Sequence, residues 1–139
     1  MPQHHPPLIL LADDFEDARE LYRDYLEFSG FAVRTATNGR EAIDRAVALQ
    51  PDIILMDASM PVLDGWQATR EIKTHPTTKH IPVVALTAHA FEDAKQEARE
   101  VGCDAFVTKP CLPDDLVSQV RAVLGQKKRN TSSASGLED

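Results

Sequence analysis

The sequence predicts an α/β fold: one sheet of five parallel strands, doubly wound, with helices on both faces. Three observations carry that expectation. Short apolar runs alternate with segments of helical period through most of the 139 residues. Three of those runs are almost continuously apolar, as strands covered on both faces must be. Gly, Pro and Asn stand at the junctions, where the chain has to turn. Strands alternating with helices imply right-handed crossovers and a parallel sheet.

Taken in order, the first run is "LILLA" (8–12). Ala18, Leu21, Tyr22, Tyr25 and Leu26 follow at helical spacing, with Gly30 as the stop. "FAVRTA" (31–36) is the second strand. Asn38 can cap the next helix with Glu41 three residues on; its inner face is Ala42, Ile43, Ala46 and Val47, and Pro51 marks its exit. "DIILM" (52–56) is the third strand, and Trp66, Thr69, Ile72 and Lys73 indicate a third helix ending before Pro76. "PVVALT" (82–87) leads to a weaker stripe of Phe91, Ala94, Ala98 and Val101, closed by Gly102. "DAFVT" (104–108) is the last strand. Pro113 at a first helical position, with Asp114 and Asp115 in the first turn, opens a fifth helix. That helix buries Leu116, Val117, Val120, Val123 and Leu124 and stops at Gly125. Residues 1–7 and 126–139 read as disordered ends around one domain spanning 8–125.

Composition narrows the function. With 42% hydrophobic and 27% charged residues, the chain resembles an ordinary globular domain. No apolar run approaches the roughly 20 residues of a bilayer span, and the N-terminus lacks the pattern of a signal peptide. A cytoplasmic protein without a membrane partner is expected. The net charge of −7, from 15 basic and 22 acidic residues, argues against a nucleic-acid partner. The basic run Lys127-Lys128-Arg129 lies in a polar tail and reads as solvated. Cys103 and Cys111 match no metal or redox spacing and are expected as reduced thiols.

The chemistry gathers at one end of the strands. The first run ends in Asp13-Asp14, the third in Asp57, the fourth in Thr87 and the fifth in Lys109-Pro110. Any one of these could merely start a turn. In a doubly wound sheet, however, ligands bind beyond the carboxyl ends of the strands, where all of them lie. Gathered carboxylates repel and raise one another's pKa, a cost that a hard divalent cation removes. Mg²⁺ is the natural choice, with Asp14 and Asp57 as the leading ligands. An open metal position suits a phosphoryl oxygen, Lys109 adds a positive charge, and the Thr87 hydroxyl adds a hydrogen bond. Asp57 itself can attack phosphorus and form an aspartyl phosphate.

With "LLADD", "LMDASMPVLDGW", "VVALTAHA" and "AFVTKP" in that order, the chain resembles the receiver domains of two-component response regulators over about residues 8–125. The resemblance implies a flavodoxin-like (β/α)5 sheet of strand order 2-1-3-4-5. It implies that Asp57 accepts a phosphoryl group from a phosphohistidine on a sensor histidine kinase or histidine phosphotransfer protein. It implies that Asp13 and Asp14 hold Mg²⁺ (or Mn²⁺), with the Ser59 backbone carbonyl as a further ligand. Thr87 would follow the phosphoryl group inward, Phe106 would be the aromatic switch residue, and the peptide before Pro110 would be cis. A downstream protein would bind the face formed by helix 4, strand 5 and helix 5. Ser59 and His89 would flank the path of attacking water and tune the phosphoryl lifetime. Two positions depart from the family pattern: Cys111 stands where a larger apolar residue is expected, and Phe106 replaces the commoner tyrosine.

The rival reading is a small Mg²⁺-dependent aspartyl-phosphate phosphohydrolase. Such enzymes place an acid two residues after the nucleophile, where this chain has Ser59. The expectation is therefore a signalling module and not an enzyme, catalysing only its own phosphorylation and dephosphorylation. Neither "GxxxxGK" nor "GxGxxG" is present, which sets a nucleotide-binding domain aside. No pattern of a second domain follows Gly125, so output through protein contact is expected, from a stand-alone regulator, a relay intermediate or a piece of a longer protein.

Overall fold

The computed structural model describes residues 6–88 and 92–137, the side chains of 92 and 127–137 excepted. Five strands alternate with five helices: β1 (Leu8–Ala12), α1 (Glu16–Phe28), β2 (Ala32–Ala36), α2 (Gly39–Leu49), β3 (Ile53–Asp57), α3 (Gly65–Thr74), β4 (Val83–Thr87), α4 (Glu92–Val101), β5 (Ala105–Thr108) and α5 (Pro113–Leu137). The strands form one parallel sheet in the order β2-β1-β3-β4-β5. Chain order reverses at β1, so β1 and β3 are neighbours and the loops that leave them diverge above the sheet. That divergence opens the crevice in which such folds bind ligands.

Alternation along the strands sorts the core into two layers. Ile9, Leu11, Ile53, Leu55, Val84 and Leu86 face Tyr22 and Leu26 of α1 and Leu116, Val117 and Val120 of α5. Leu10, Ile54, Met56 and Val83 face Ala42, Ile43 and Ala46 of α2 and Ala68 and Ile72 of α3. Every residue of β3 and β4 is buried, which is why their apolar runs are unbroken. Two residues predicted as inner-face are exposed, Leu21 at 55% and Val47 at 39%. Each sits at the edge of its stripe, about 80° from the centre at 100° per residue, beyond the reach of the sheet.

The caps are largely those that the sequence suggests. Asn38 Oδ1 accepts from the Glu41 N–H at 2.8 Å, but Glu41 Oε1 returns to the Thr37 N–H at 2.7 Å, one residue earlier than a capping box requires. Gly30 closes α1 at φ 103°, a conformation that favours glycine. Before β1, Pro7 is already tied in, its carbonyl accepting from the Ala32 N–H at 2.9 Å. The expected disorder of residues 1–5 lies outside the described residues.

The sequence places the end of α5 at Gly125, yet the helix runs on to Leu137. Gly125 has no positive φ, and nothing lies within 4 Å of where its Cβ would be. Interior glycine weakens a helix by only about 1 kcal/mol, and Gln126, Lys127, Lys128 and Arg129 that follow are good helix formers. A stop would have needed a left-handed residue or a proline.

Two glycine substitutions test this geometry by urea unfolding. Gly125→Ala is expected to stabilise by up to about 1 kcal/mol, because it sits in a helix interior with open space. Destabilisation there would mean that α5 ends at 125 after all. Gly65→Ala is expected to cost more than about 2 kcal/mol, because its Cβ would lie 2.0 Å from the Asp57 carbonyl oxygen.

Candidate functional site

β1 and β3 pair from Ile9↔Ile53 through Ala12↔Met56, so Asp13 and Asp57 emerge side by side at the carboxyl edge. The Asp13 N–H donates to the Ala36 carbonyl at 3.0 Å, and the Ala58 N–H donates to the Leu86 carbonyl at 2.8 Å. These bonds extend the sheet past the last apolar residues and fix the backbone beneath both carboxylates. Asp13 is fully buried, Asp57 is 7% exposed and Asp14 is exposed. One carboxylate oxygen from each of the three lies within 4.8 Å of the others.

Lys109 answers them from just past the end of β5, on the far side of β4. Its Nζ donates to Asp13 Oδ2 at 2.9 Å and to Asp57 Oδ2 at 3.4 Å. The remaining oxygens take backbone donors: Asp13 Oδ1 accepts from the Phe15 N–H at 2.9 Å, and Asp57 Oδ1 from the Ser59 N–H at 3.1 Å. The Lys109 N–H donates to the Thr87 carbonyl at 2.7 Å, and the Lys109–Pro110 peptide bond is cis. Thr87 is buried at the end of β4 and lines, with Asp57, Ser59 and Lys109, an open cavity of about 750 Å³. Phe106 is half-buried on β5, with Lys95 and Arg99 of α4 to one side and Asp115 and Gln119 of α5 to the other. The predicted position His89 lies outside the described residues.

Three site features were not anticipated from sequence. The shorter contact of Lys109 is with Asp13 and not with Asp57. Arg19 Nη1 donates to the Asp13 carbonyl at 2.9 Å, bracing the acidic turn from α1. Gly65 starts α3 hard against Asp57, its N–H donating to the Ala58 carbonyl at 2.9 Å, while Asp64 Oδ1 caps the helix at Gln67 N at 2.9 Å. The Asp-Gly pair before a helical stripe was the available signal for the cap, although it also fits a plain turn.

The electrostatics are unbalanced. Burial pushes the Asp57 carboxyl up from 3.8 to about 6; the Ser59 N–H and the Lys109 charge oppose this, and Asp13 adds to it. For Lys109, burial works against the charge, but hydrogen bonding and attraction from Asp13 and then Asp57 outweigh it and raise its pKa. Three carboxylates against one ammonium leave an excess of negative charge among hard oxygen donors. That donor set fits a divalent cation such as Mg²⁺.

The β3–α3 loop carries strain as well. Val62 has φ 69°, and the Leu63 N–H donates back to the Pro61 carbonyl at 2.7 Å, closing a three-residue γ-turn. A β-branched residue is disfavoured there, and the Val62 side chain is 81% exposed with little packing in compensation.

The charge imbalance predicts a pH signature in metal-free protein. Asp57 holds its proton more tightly folded than unfolded, so stability falls as pH rises from 3.8 to about 6, and the full penalty persists above. Asp57→Asn is expected to stabilise the protein by about 1–3 kcal/mol at about pH 7.5, with the difference vanishing near pH 4. Urea denaturation of both proteins at the two pH values measures this. A mutant less stable than wild type at about pH 7.5 would show that Asp57 is a net stabiliser.

Comparison with known proteins agrees with this geometry. The response regulator receiver domain family matches residues 9–121. The polar-differentiation response regulator DivK of Brucella anthropi is 34% identical over 120 residues, covering 86% of this chain and 98% of that protein. The chemotaxis protein CheY4 of Vibrio cholerae has a TM-score of 0.81 at 30% identity, covering 85% of this chain and 98% of that one. The receiver domain of sensor histidine kinase PA1611 from Pseudomonas aeruginosa has a TM-score of 0.81 at 30% identity, covering 86% and 98%; that structure has a magnesium ion coordinated in its active-site cleft. In sequence, fold and the acidic cluster at its strand ends, this chain belongs to the response regulator receiver domain family of two-component signal transduction.

Proposed function

We propose that Asp57 is the phosphoacceptor of this receiver, taking a phosphoryl group from a phosphohistidine on a sensor histidine kinase or a histidine phosphotransfer protein. The observation that carries this reading is the buried Asp57 carboxylate, aimed by a fully buried strand into an open cavity beside Lys109 and Thr87. Transfer breaks the N–P bond of the phosphohistidine and forms an O–P bond to an Asp57 oxygen, and the imidazole leaves with the electron pair. The Ser59 N–H and Lys109 orient the carboxylate before attack. Lys109, 3.4 Å from Asp57, is placed to pair with a phosphoryl oxygen once the carboxylate charge is spent. The Thr87 hydroxyl supplies a second donor from β4.

Asp13, Asp14, Asp57 and the Ser59 carbonyl would hold Mg²⁺, with Mn²⁺ as a substitute. When bound, the cation offsets the carboxylate repulsion and the charge on the phosphoryl oxygens. Phosphorylation then biases a two-state equilibrium through Thr87 and Phe106. Phe106 carries no hydroxyl, so its part is burial between the α4 and α5 grooves. A downstream protein reads the face of α4, β5 and α5. Ser59, exposed beside Asp57, contributes to the phosphoryl lifetime. The chain acts in the cytoplasm and turns over only its own phosphoryl group; among the described residues, no helix is long and apolar enough to cross a membrane.

Intact mass after incubation with acetyl phosphate tests this reading. Mg²⁺-dependent gain of one phosphoryl group is expected in wild type and none in Asp57→Asn. Lys109→Met is expected to slow the gain by about 10–100-fold while leaving Mg²⁺ binding in place. Steady turnover of a free phosphomonoester would instead favour a phosphohydrolase.

A further inference from the structure

Lys109 reaches the carboxylates from a short segment between β5 and α5. Upstream, that segment is held by the Lys109 N–H on the Thr87 carbonyl at 2.7 Å. Pro110 has no N–H to give. The next fixed point is the Cys111 carbonyl, which accepts a hydrogen bond from the Tyr22 hydroxyl of α1 at 3.1 Å. The Cys111 thiol also donates weakly to the Tyr22 oxygen at 3.6 Å. One helical turn along α1, the Tyr25 hydroxyl bonds to the Asp114 carboxylate at the start of α5.

Tyr22 is 5% exposed and belongs to the core layer between α1, the sheet and α5, where Cys111 packs against it. Sequence periodicity marks Tyr22 only as a core position. Its hydroxyl nevertheless spans 89 residues of sequence to reach the backbone two positions after Lys109. The two contacts of Lys109 are unequal, and the 3.4 Å contact to Asp57 is near the limit of a hydrogen bond. A small drift of the segment would break it while sparing the contact to Asp13.

We propose that Tyr22 is a positioning residue for Lys109: its hydroxyl, acting through the Cys111 carbonyl, holds the ammonium within reach of Asp57. Its consequence for rate rests on the phosphoacceptor reading of Asp57; its consequence for geometry does not. A buried donor in the α1 layer thereby links that helix to the ammonium that the two buried carboxylates share.

Tyr22→Phe keeps the ring and removes the hydroxyl. At saturating Mg²⁺, its rate of phosphorylation by acetyl phosphate is expected to fall by about 3–10-fold. Mg²⁺ affinity, read from the fluorescence of Trp66 in the same cavity, is expected to change by less than about 2-fold. Made on Lys109→Met, the substitution is expected to have no further effect on rate, and the two losses in Tm are expected to combine to less than their sum. An unchanged rate in Tyr22→Phe, an equal fall on the Lys109→Met background, or additive Tm losses would each overturn the proposal. If wild type takes up no phosphoryl group, the phosphoacceptor reading fails on its own, and the Tm cycle still decides the role of Tyr22.

Discussion

Three carboxylates crowd together at the edge of a buried sheet, two of them sharing one ammonium, and much of the site follows from that crowding. β3 and β4 have no exposed residue, so a polar group cannot sit within them without an unsatisfied desolvation cost. It is displaced to the strand ends, where the loops begin and water can reach. Because β1 lies beside β3, the displaced groups of both strands arrive at one place. Lys109 relieves part of the repulsion, yet burial still leaves Asp57 hard to ionise, at about 6. A site in that condition favours the binding of positive charge.

The surrounding structure serves to hold this arrangement. α3 begins directly on the Asp57 carbonyl, which only a residue without Cβ permits. Arg19 braces the acidic turn from α1, and the Ser59 N–H fixes one oxygen of Asp57 from the β3–α3 loop. On the proposed reading, phosphorylation of Asp57 would change the charge and hydrogen-bonding needs at the junction of these elements. Thr87 and the segment carrying Lys109, which border that junction, are joined by a backbone hydrogen bond. On the same reading, this bond is the route by which a charge event at Asp57 would bias the α4, β5 and α5 face.

How much of this was legible in the sequence depended on range. Local patterns read well: unbroken apolar runs located β3 and β4, and Asn38 with Glu41 marked the start of α2. Edge-of-stripe residues such as Leu21 and Val47 read poorly, because periodicity gives a direction but not the width of the covering surface. Gly125 misled because glycine is a weak helix breaker and only its φ reveals whether it ends a helix. The convergence of Asp13, Asp57 and Lys109 was legible only through the rule that parallel strands present their ends together. The preference of Lys109 for Asp13 and the reach of Tyr22 to Cys111 were not legible, since contacts across 96 and 89 residues leave no periodic trace.

The most direct test is chemical identification of the phosphorylated residue. Protein phosphorylated with acetyl phosphate and Mg²⁺ would be reduced with borohydride, which converts an aspartyl phosphate to homoserine, and then mapped by peptide mass spectrometry. Homoserine at position 57 alone is the expected result. Homoserine at Asp13 or Asp14, or none in protein that has gained a phosphoryl group, would contradict the assignment of Asp57 as the phosphoacceptor.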